Sequence, residues 1–152
     1  MIYLGSDHGG FELKEQLKVT LPSFGVMFED LGAMVLNPDD DYPQFAQAVA
    51  KKVAQRPEEH TGILLCRTGG GMAIVANRFR GVRAVECRTT EDAVYAREHN
   101  HANVLVLPAD LILPDVAFQI VQVFLATPFS IEPRHSRRVA MIDQEAETKF
   151  VP

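Results

Sequence analysis

Short apolar runs rich in branched side chains recur along the chain at Ile2–Leu4, Val26–Leu31, Gly62–Leu65, Val82–Val85 and Asn103–Leu107, with segments of helical period between them. Runs of this length suit strands buried on both faces, and their alternation with helices is the signature of strand-helix units on a parallel sheet. Five strands are predicted. Leu13, Leu17 and Leu21 repeat every four residues, as do Phe45, Val49 and Val53, which places each set on one face of a helix that packs on the sheet. Thr89 is the predicted cap of a helix whose first turn carries Glu91 and Asp92, and Ala117, Ile120, Val121 and Phe124 mark a final helix ended near Thr127-Pro128. Pro22 falls in the last turn of the first helix and should end or bend it there. Asn37-Pro38-Asp39-Asp40-Asp41 reads as a solvated loop before a helix opened by Pro43.

A chain of 152 residues is long enough to bury one core without a metal or disulfide staple. Apolar residues make up 47% and charged residues 23%, which excludes disordered and fibrous architectures. The net charge of −5, with no dense basic run, argues against a protein that holds nucleic acid by neutralising phosphates. The short cluster Arg134-His135-Ser136-Arg137-Arg138 is large enough for one phosphate. No stretch reaches the roughly 20 apolar residues of a membrane span, and Ile2-Tyr3-Leu4 opens a strand where a signal peptide would stand, so a cytoplasmic protein is expected. Cys66 and Cys87 are the two cysteines. Neither belongs to a C-x-x-C pair or a zinc-ligand spacing, so both are expected as reduced thiols with no metal and no cofactor implied.

In an open parallel sheet, ligands collect at the carboxyl ends of the strands. The first strand ends there in Gly5-Ser6-Asp7-His8-Gly9-Gly10, and the third in Cys66-Arg67-Thr68-Gly69-Gly70-Gly71-Met72 ahead of a helical Ala73–Asn77. Glycine runs let successive amide N–H groups point inward and form a pocket for a phosphate or oxyanion. A helix N-terminus stabilises a thiolate, so Cys66 is expected with a lowered pKa, as carbon-acid chemistry beside an oxyanion pocket requires; the alternative is a buried structural thiol that ends an apolar strand. Cys87 is expected as a buried structural thiol. Asp7 and His8 form a carboxylate-imidazole pair able to orient a hydroxyl or hold phosphate. His99-Asn100-His101 precedes the fifth strand and therefore lies at the opposite edge. A five-residue strand spans roughly 16 Å, so His99 is either structural or serves a neighbouring subunit's site.

Spacing removes three other readings. A cysteine-dependent phosphatase loop needs arginine six positions after the nucleophile, where Met72 stands. A receiver domain needs aspartate at Cys66 and lysine where Leu107-Pro108 stand. Walker A and dinucleotide glycine motifs are absent.

Taken together, these residues resemble the ribose-5-phosphate isomerase B and galactose-6-phosphate isomerase family of sugar-phosphate isomerases. The resemblance runs over nearly the whole chain, through Gly-Ser-Asp-His-Gly-Gly-Phe at 5–11, Asp41-Tyr42-Pro43, Cys66-x-Thr-Gly-x-Gly-Met at 66–72, Ala76-Asn77, Glu98-His99-Asn100, Ala102-Asn103-Val104 and Arg134-His135-x-Arg137-Arg138-Val139. It implies a Rossmann-like three-layer α/β/α sandwich around a five-stranded parallel sheet. The expected division is a single α/β isomerase domain over 1–133 and a C-terminal arm over 134–152 that contacts a neighbouring subunit. By the same resemblance, Cys66 is the base that moves a proton between C2 and C1 of ribose 5-phosphate and ribulose 5-phosphate. The amides of 68–72, Gly69, Gly70 and Gly71 among them, would hold the enediolate, with the Thr68 hydroxyl beside them. His99 would open the furanose ring, Asp7 would assist at the ring oxygen or a hydroxyl, and Asn100 and Tyr42 would contact the sugar. His8, Arg134 and Arg138 would bind phosphate. The resemblance further implies a homodimer or tetramer whose sites are shared, with His99 and Asn100 arriving from the partner.

Two positions depart from the pattern. Arg67 follows the cysteine where the family commonly has a small residue, and Pro108-Ala109-Asp110 stands where it commonly has Gly-x-Arg. Arg67 is therefore expected either to replace the missing phosphate ligand or to face solvent, and the alternatives of a six-carbon substrate such as galactose 6-phosphate or allose 6-phosphate, or a non-catalytic sugar-phosphate-binding protein, stay open. A branch of the family uses a glutamate of the glycine loop as base; Met72 and its neighbours offer no carboxylate, which leaves Cys66.

Overall fold

A computed structural model describes residues 1–149, with side chains over 1–144. Strands β1 (Ile2–Ser6), β2 (Phe28–Asp30), β3 (Thr61–Cys66), β4 (Ala84–Glu86) and β5 (Val104–Pro108) alternate with helices α1 (Phe11–Thr20), α2 (Tyr42–Gln55), α3 (Gly70–Ala76), α4 (Thr90–Asn100) and α5 (Pro114–Ala126), and α6 (Pro133–Lys149) follows. All pairings are parallel, in the order β2-β1-β3-β5-β4. The five predicted strands are present, trimmed at the sheet edges, where the runs from Val26 and Val82 form strand only from Phe28 and Ala84.

Alternation along the central strands sends side chains to two cores. Leu4, Ile63, Leu65, Leu105 and Leu107 face Leu13 and Leu17 of α1 and Ile120, Val121 and Phe124 of α5. Tyr3, Leu64, Cys66, Val104 and Val106 face Ala46, Val49 and Val53 of α2 and Met72 and Ala76 of α3. The architecture is thus the expected three-layer α/β/α sandwich. Because β2 lies on one side of β1 and β3 on the other, α1 and α3 leave the carboxyl edge toward opposite faces. The crevice this opens between the ends of β1 and β3 is where such folds bind ligands.

Local chemistry sets the element ends. Pro22 halts α1 at Thr20, and Leu21–Phe24 tightens to a 3₁₀ turn. Thr89 and Asp92 form a reciprocal capping box on α4. At Gly10 a Cβ would meet the Leu65 backbone at 2.5 Å, so only glycine lets α1 start directly against β3. The polar tail is itself a helix: α6 buries His135 and Val139 and is fastened by Asp143 to the buried Arg83 at 3.1 Å.

Asn103, at the amino edge, is 3% exposed. Its amide donates to the carbonyls of Pro57 at 3.0 Å and Gly81 at 2.7 Å, and its oxygen accepts from Arg83 N–H at 2.8 Å. Asn103→Ala strands all three backbone groups, and urea denaturation should record a loss of about 3 kcal/mol.

Candidate active site

β3 ends at Cys66, and the ladder continues past it: Ala109 N–H donates to the Cys66 carbonyl at 2.8 Å and Asp110 N–H to the Arg67 carbonyl at 2.9 Å. The next residues turn sharply, with Gly69 at φ +82° capping α3. That turn aims the Gly69 amide back at the Cys66 sulfur, which accepts its hydrogen bond at 3.2 Å. Cys66 is 6% exposed. Gly69 also admits the Glu86 side chain, which a Cβ would meet at 2.9 Å; this carboxylate beside the glycine loop was not read from the sequence, since it lies on another strand, and it is bonded to Arg88 at 2.8 Å.

The expected lowering of the Cys66 pKa is overturned. Burial pushes the thiol up, and the nearby Asp7 carboxylate adds to that; hydrogen bonds from the amides of Gly69, Thr68 and Met72 oppose the rise without cancelling it. These amides come from the turn before α3 and from the first turn of that helix, yet desolvation of the anion is the larger effect. Cys87, expected as a structural thiol, is fully buried in the opposite core and pushed up to about 12, by burial first and then by Asp92 and Glu86.

Asp7 stands on the neighbouring strand end, 6% exposed. Gly10 N–H donates to its Oδ1 at 3.1 Å, and burial nevertheless raises its pKa. His8 is half-buried beside it. Its ring Nδ1 meets Asp40 Oδ1 at 2.7 Å, and its backbone N–H donates to the same oxygen at 3.0 Å. Asp40 therefore departs from the solvated loop predicted over 37–41: its side chain is 5% exposed. Asp7, His8 and Asp40 bring donor atoms within 4.8 Å of one another, a set able to surround a cation, although the His8 nitrogen and an Asp40 oxygen are already bonded to each other.

Tyr42 and Arg67 close over this edge. A Cβ on Gly71 would meet the Tyr42 ring at 2.6 Å, and one on Gly9 would meet the Arg67 side chain at 2.4 Å, so the tyrosine lies across the glycine loop and the arginine across the Asp7–Gly10 turn. Arg67 is exposed and pairs with Asp110 at 3.3 Å, joining the two positions that depart from the family pattern. Thr68 is exposed at the rim.

The remaining candidates gather elsewhere. His99 lies in the last turn of α4, stacked on Tyr95 with ring centroids 5.1 Å apart and tilted against His135 at 4.4 Å. Asn100, Arg134 and Arg138 are exposed around it. His135 is buried with Nδ1 unpartnered; desolvation, His99 and the two arginines hold its pKa below the ordinary value. Since α4 ends where β5 begins, this group sits at the amino edge, opposite Cys66. The chain thus carries two clusters: Asp7, His8, Tyr42, Cys66, Arg67, Thr68 and the glycines at one edge, and His99, Asn100, Arg134 and Arg138 at the other.

Known proteins resemble this chain over nearly its whole length. Residues 2–142 match the family described as Ribose/Galactose Isomerase, a span that includes the first half of α6. The chain is 38% identical over 151 residues to the ribose-5-phosphate isomerase B of Mycolicibacterium paratuberculosis, covering 99% of this chain and 94% of that one. Among solved structures it is similar to a ribose 5-phosphate isomerase of Thermotoga maritima, at 47% identity and TM-score 0.88 over 94% of this chain and 97% of that one. It is also similar to ribose-5-phosphate isomerase B of Mycoplasma genitalium with bound ribulose 5-phosphate, at 36% identity and TM-score 0.93 over 98% and 97%. With the carboxyl-edge crevice, the Cys66 loop and matches of this extent, the chain belongs to the ribose/galactose isomerase family.

Proposed function

We propose that this protein is an aldose-ketose isomerase that interconverts ribose 5-phosphate and ribulose 5-phosphate through an enediolate, with Cys66 as the base. The observation that carries the reading is the Cys66 sulfur, turned toward the Gly69 amide at the end of the central strand of a fold that superposes at TM-score 0.93 on a relative with bound ribulose 5-phosphate. In the forward direction the thiolate takes the proton from C2 as electron density moves onto the C1 carbonyl oxygen; the C2 hydroxyl proton then passes to O1, C2=O forms, and the thiol, whose proton exchanges with solvent, delivers a proton to C1. Amides of 68–72 meet the oxygen as it gains charge, and one well-placed donor of that kind is worth roughly 3–4 kcal/mol of barrier. Burial gives this mechanism a definite character: the thiolate is scarce, but once formed it is a stronger base than an ordinary cysteine.

Asp7 assists at the ring oxygen or a hydroxyl, Tyr42 and Asn100 line the sugar, Thr68 adds a hydroxyl, and His8, Arg134 and Arg138 hold phosphate. Arg67, lying over the Asp7–Gly10 turn, supplies the cation that Asp110 replaces in the family pattern. That exchange is also what favours a second reading, in which a six-carbon sugar phosphate is the better substrate. His99 opens the furanose ring by proton transfer. Its position at the amino edge supports a homodimer whose sites each combine the Cys66 edge of one copy with the His99 edge of the other, the arm over 134–152 lying at that contact. We place the enzyme in the cytoplasm; no helix among the described residues is long and apolar enough to cross a membrane.

A panel of phosphorylated pentoses and hexoses in deuterated water tests the activity: interconversion of ribose 5-phosphate should be accompanied by deuterium at the transferred position, and Cys66→Ala should lower kcat by about 10³-fold. Turnover without dependence on Cys66, or a bound sugar that never exchanges, would refute the proposal. Mixing inactive Cys66→Ala with inactive His99→Ala protein should restore part of the activity, because a mixed dimer holds one intact site; no recovery excludes sharing. The raised thiol pKa gives a further expectation. Alkylation of Cys66 by iodoacetamide should accelerate with pH to a midpoint above the ordinary thiol value of 9.0, and Asp7→Asn, which removes a negative charge beside the sulfur, should move that midpoint down.

A further inference from the structure

Asp40 holds a position that neither the glycine loop nor the strand ends explain. It reaches out of the loop before α2, where Asn37 builds a turn by accepting Asp39 N–H on its side-chain oxygen and Asp40 N–H on its carbonyl, both at 3.1 Å. From there a single oxygen, Oδ1, takes the His8 backbone N–H at 3.0 Å and contacts the ring Nδ1 at 2.7 Å. The other oxygen, Oδ2, is buried without a partner. Burying a carboxylate with one oxygen unpaired is costly, and packing alone would be better served by an apolar side chain. What the position obtains in return is control of His8.

The chemistry of that control follows from donor and acceptor rules. An ionised carboxylate only accepts, so the proton in the 2.7 Å contact belongs to Nδ1. Two bonds to one oxygen fix both the backbone and the ring, and Nε2 is left as the ring atom that can meet a ligand. Asp7, the other carboxylate in range, has its Oδ1 engaged by Gly10 N–H at 3.1 Å. Arg67, stretched over Gly9, pairs with Asp110 instead.

We infer that Asp40 is a positioning residue for phosphate recognition: it accepts from Nδ1–H of His8 and so turns Nε2 toward the phosphate of the sugar, where the ring in the complex donates from both nitrogens, Nδ1–H to Asp40 and Nε2–H to a phosphate oxygen. The inference rests on the reading of His8 as a phosphate ligand. Asp40→Ala removes both bonds, whereas Asp40→Asn keeps an acceptor oxygen in the same place and removes the charge.

Nitrogen-15 NMR of the His8 ring in the full-length protein, with inorganic phosphate as the probe, tests the inference without depending on turnover. The wild-type ring should keep its Nδ1 proton, and phosphate should bring a second proton onto Nε2. In Asp40→Ala the ring should lose the partner that holds its Nδ1 proton, and phosphate affinity should fall about tenfold, with Asp40→Asn between the two. With ribose 5-phosphate the same variants should raise KM by a similar factor while kcat stays within about twofold. Unchanged phosphate affinity in Asp40→Asn, with Nε2 still protonated in the phosphate complex as in the wild type, overturns the inference, whether or not Asp40→Ala folds. Altered phosphate binding in a protein that isomerises no sugar would leave Asp40 in its role and sink the isomerase reading instead.

Discussion

The parallel pairing of β1 with β3 is the constraint on which the site depends. Register sets Ser6 beside Leu65, so the residues that follow, Asp7 on one strand and Cys66 on the other, emerge side by side into the crevice where α1 and α3 part. A shift of one residue would turn Cys66 from the α2–α3 core to the opposite one and take the sulfur away from Asp7 and the Gly69 amide. Gly10 guards that register, because any side chain there would force α1 off the β3 backbone.

Around this pairing the protein keeps a set of ionisable groups out of water. Asp7 and Cys66 are buried within one strand-end region, with the Asp40 side chain beside them, and burial works against the charged form of Asp7 and of Cys66. Backbone amides are the counterweight: Gly10 for Asp7, Gly69 for Cys66, and the His8 N–H for Asp40. The arrangement supplies dipoles fixed in place before any ligand arrives, which is how an active site stabilises charge without reorganising.

Much of this was legible in the chain itself. The apolar runs located all five strands, the four-residue spacing of Leu13, Leu17 and Leu21 gave the buried face of α1, and Thr89 marked a helix start because its partner Asp92 lies at the capping-box distance. The motif residues divide between the two edges as strand-end and strand-start positions dictate. What escaped were effects of tertiary burial. The amides near Cys66 can be anticipated from glycine spacing, but the desolvation that outweighs them depends on the core packed around the sulfur. Asp40 sits in a run of Asn, Pro and Asp that reads as solvent-facing, and only the approach of His8, 32 positions earlier, makes it an interior residue. The tail after Arg134 reads as polar because few of its positions are apolar; that His135 and Val139 are buried, His135 against His99 of the distant α4, follows from tertiary packing.

The placement of the two cysteines has a bearing on how the protein meets oxidants. Cys66 belongs to the core on the α2–α3 side of the sheet and Cys87 to the core on the other, so a continuous wall of strands stands between the sulfurs. An oxidised Cys66 has no resolving thiol within its own chain. Sulfenic acid formed there can be returned only by a small thiol that enters from solvent, and the chain has no intramolecular disulfide state in which to be trapped.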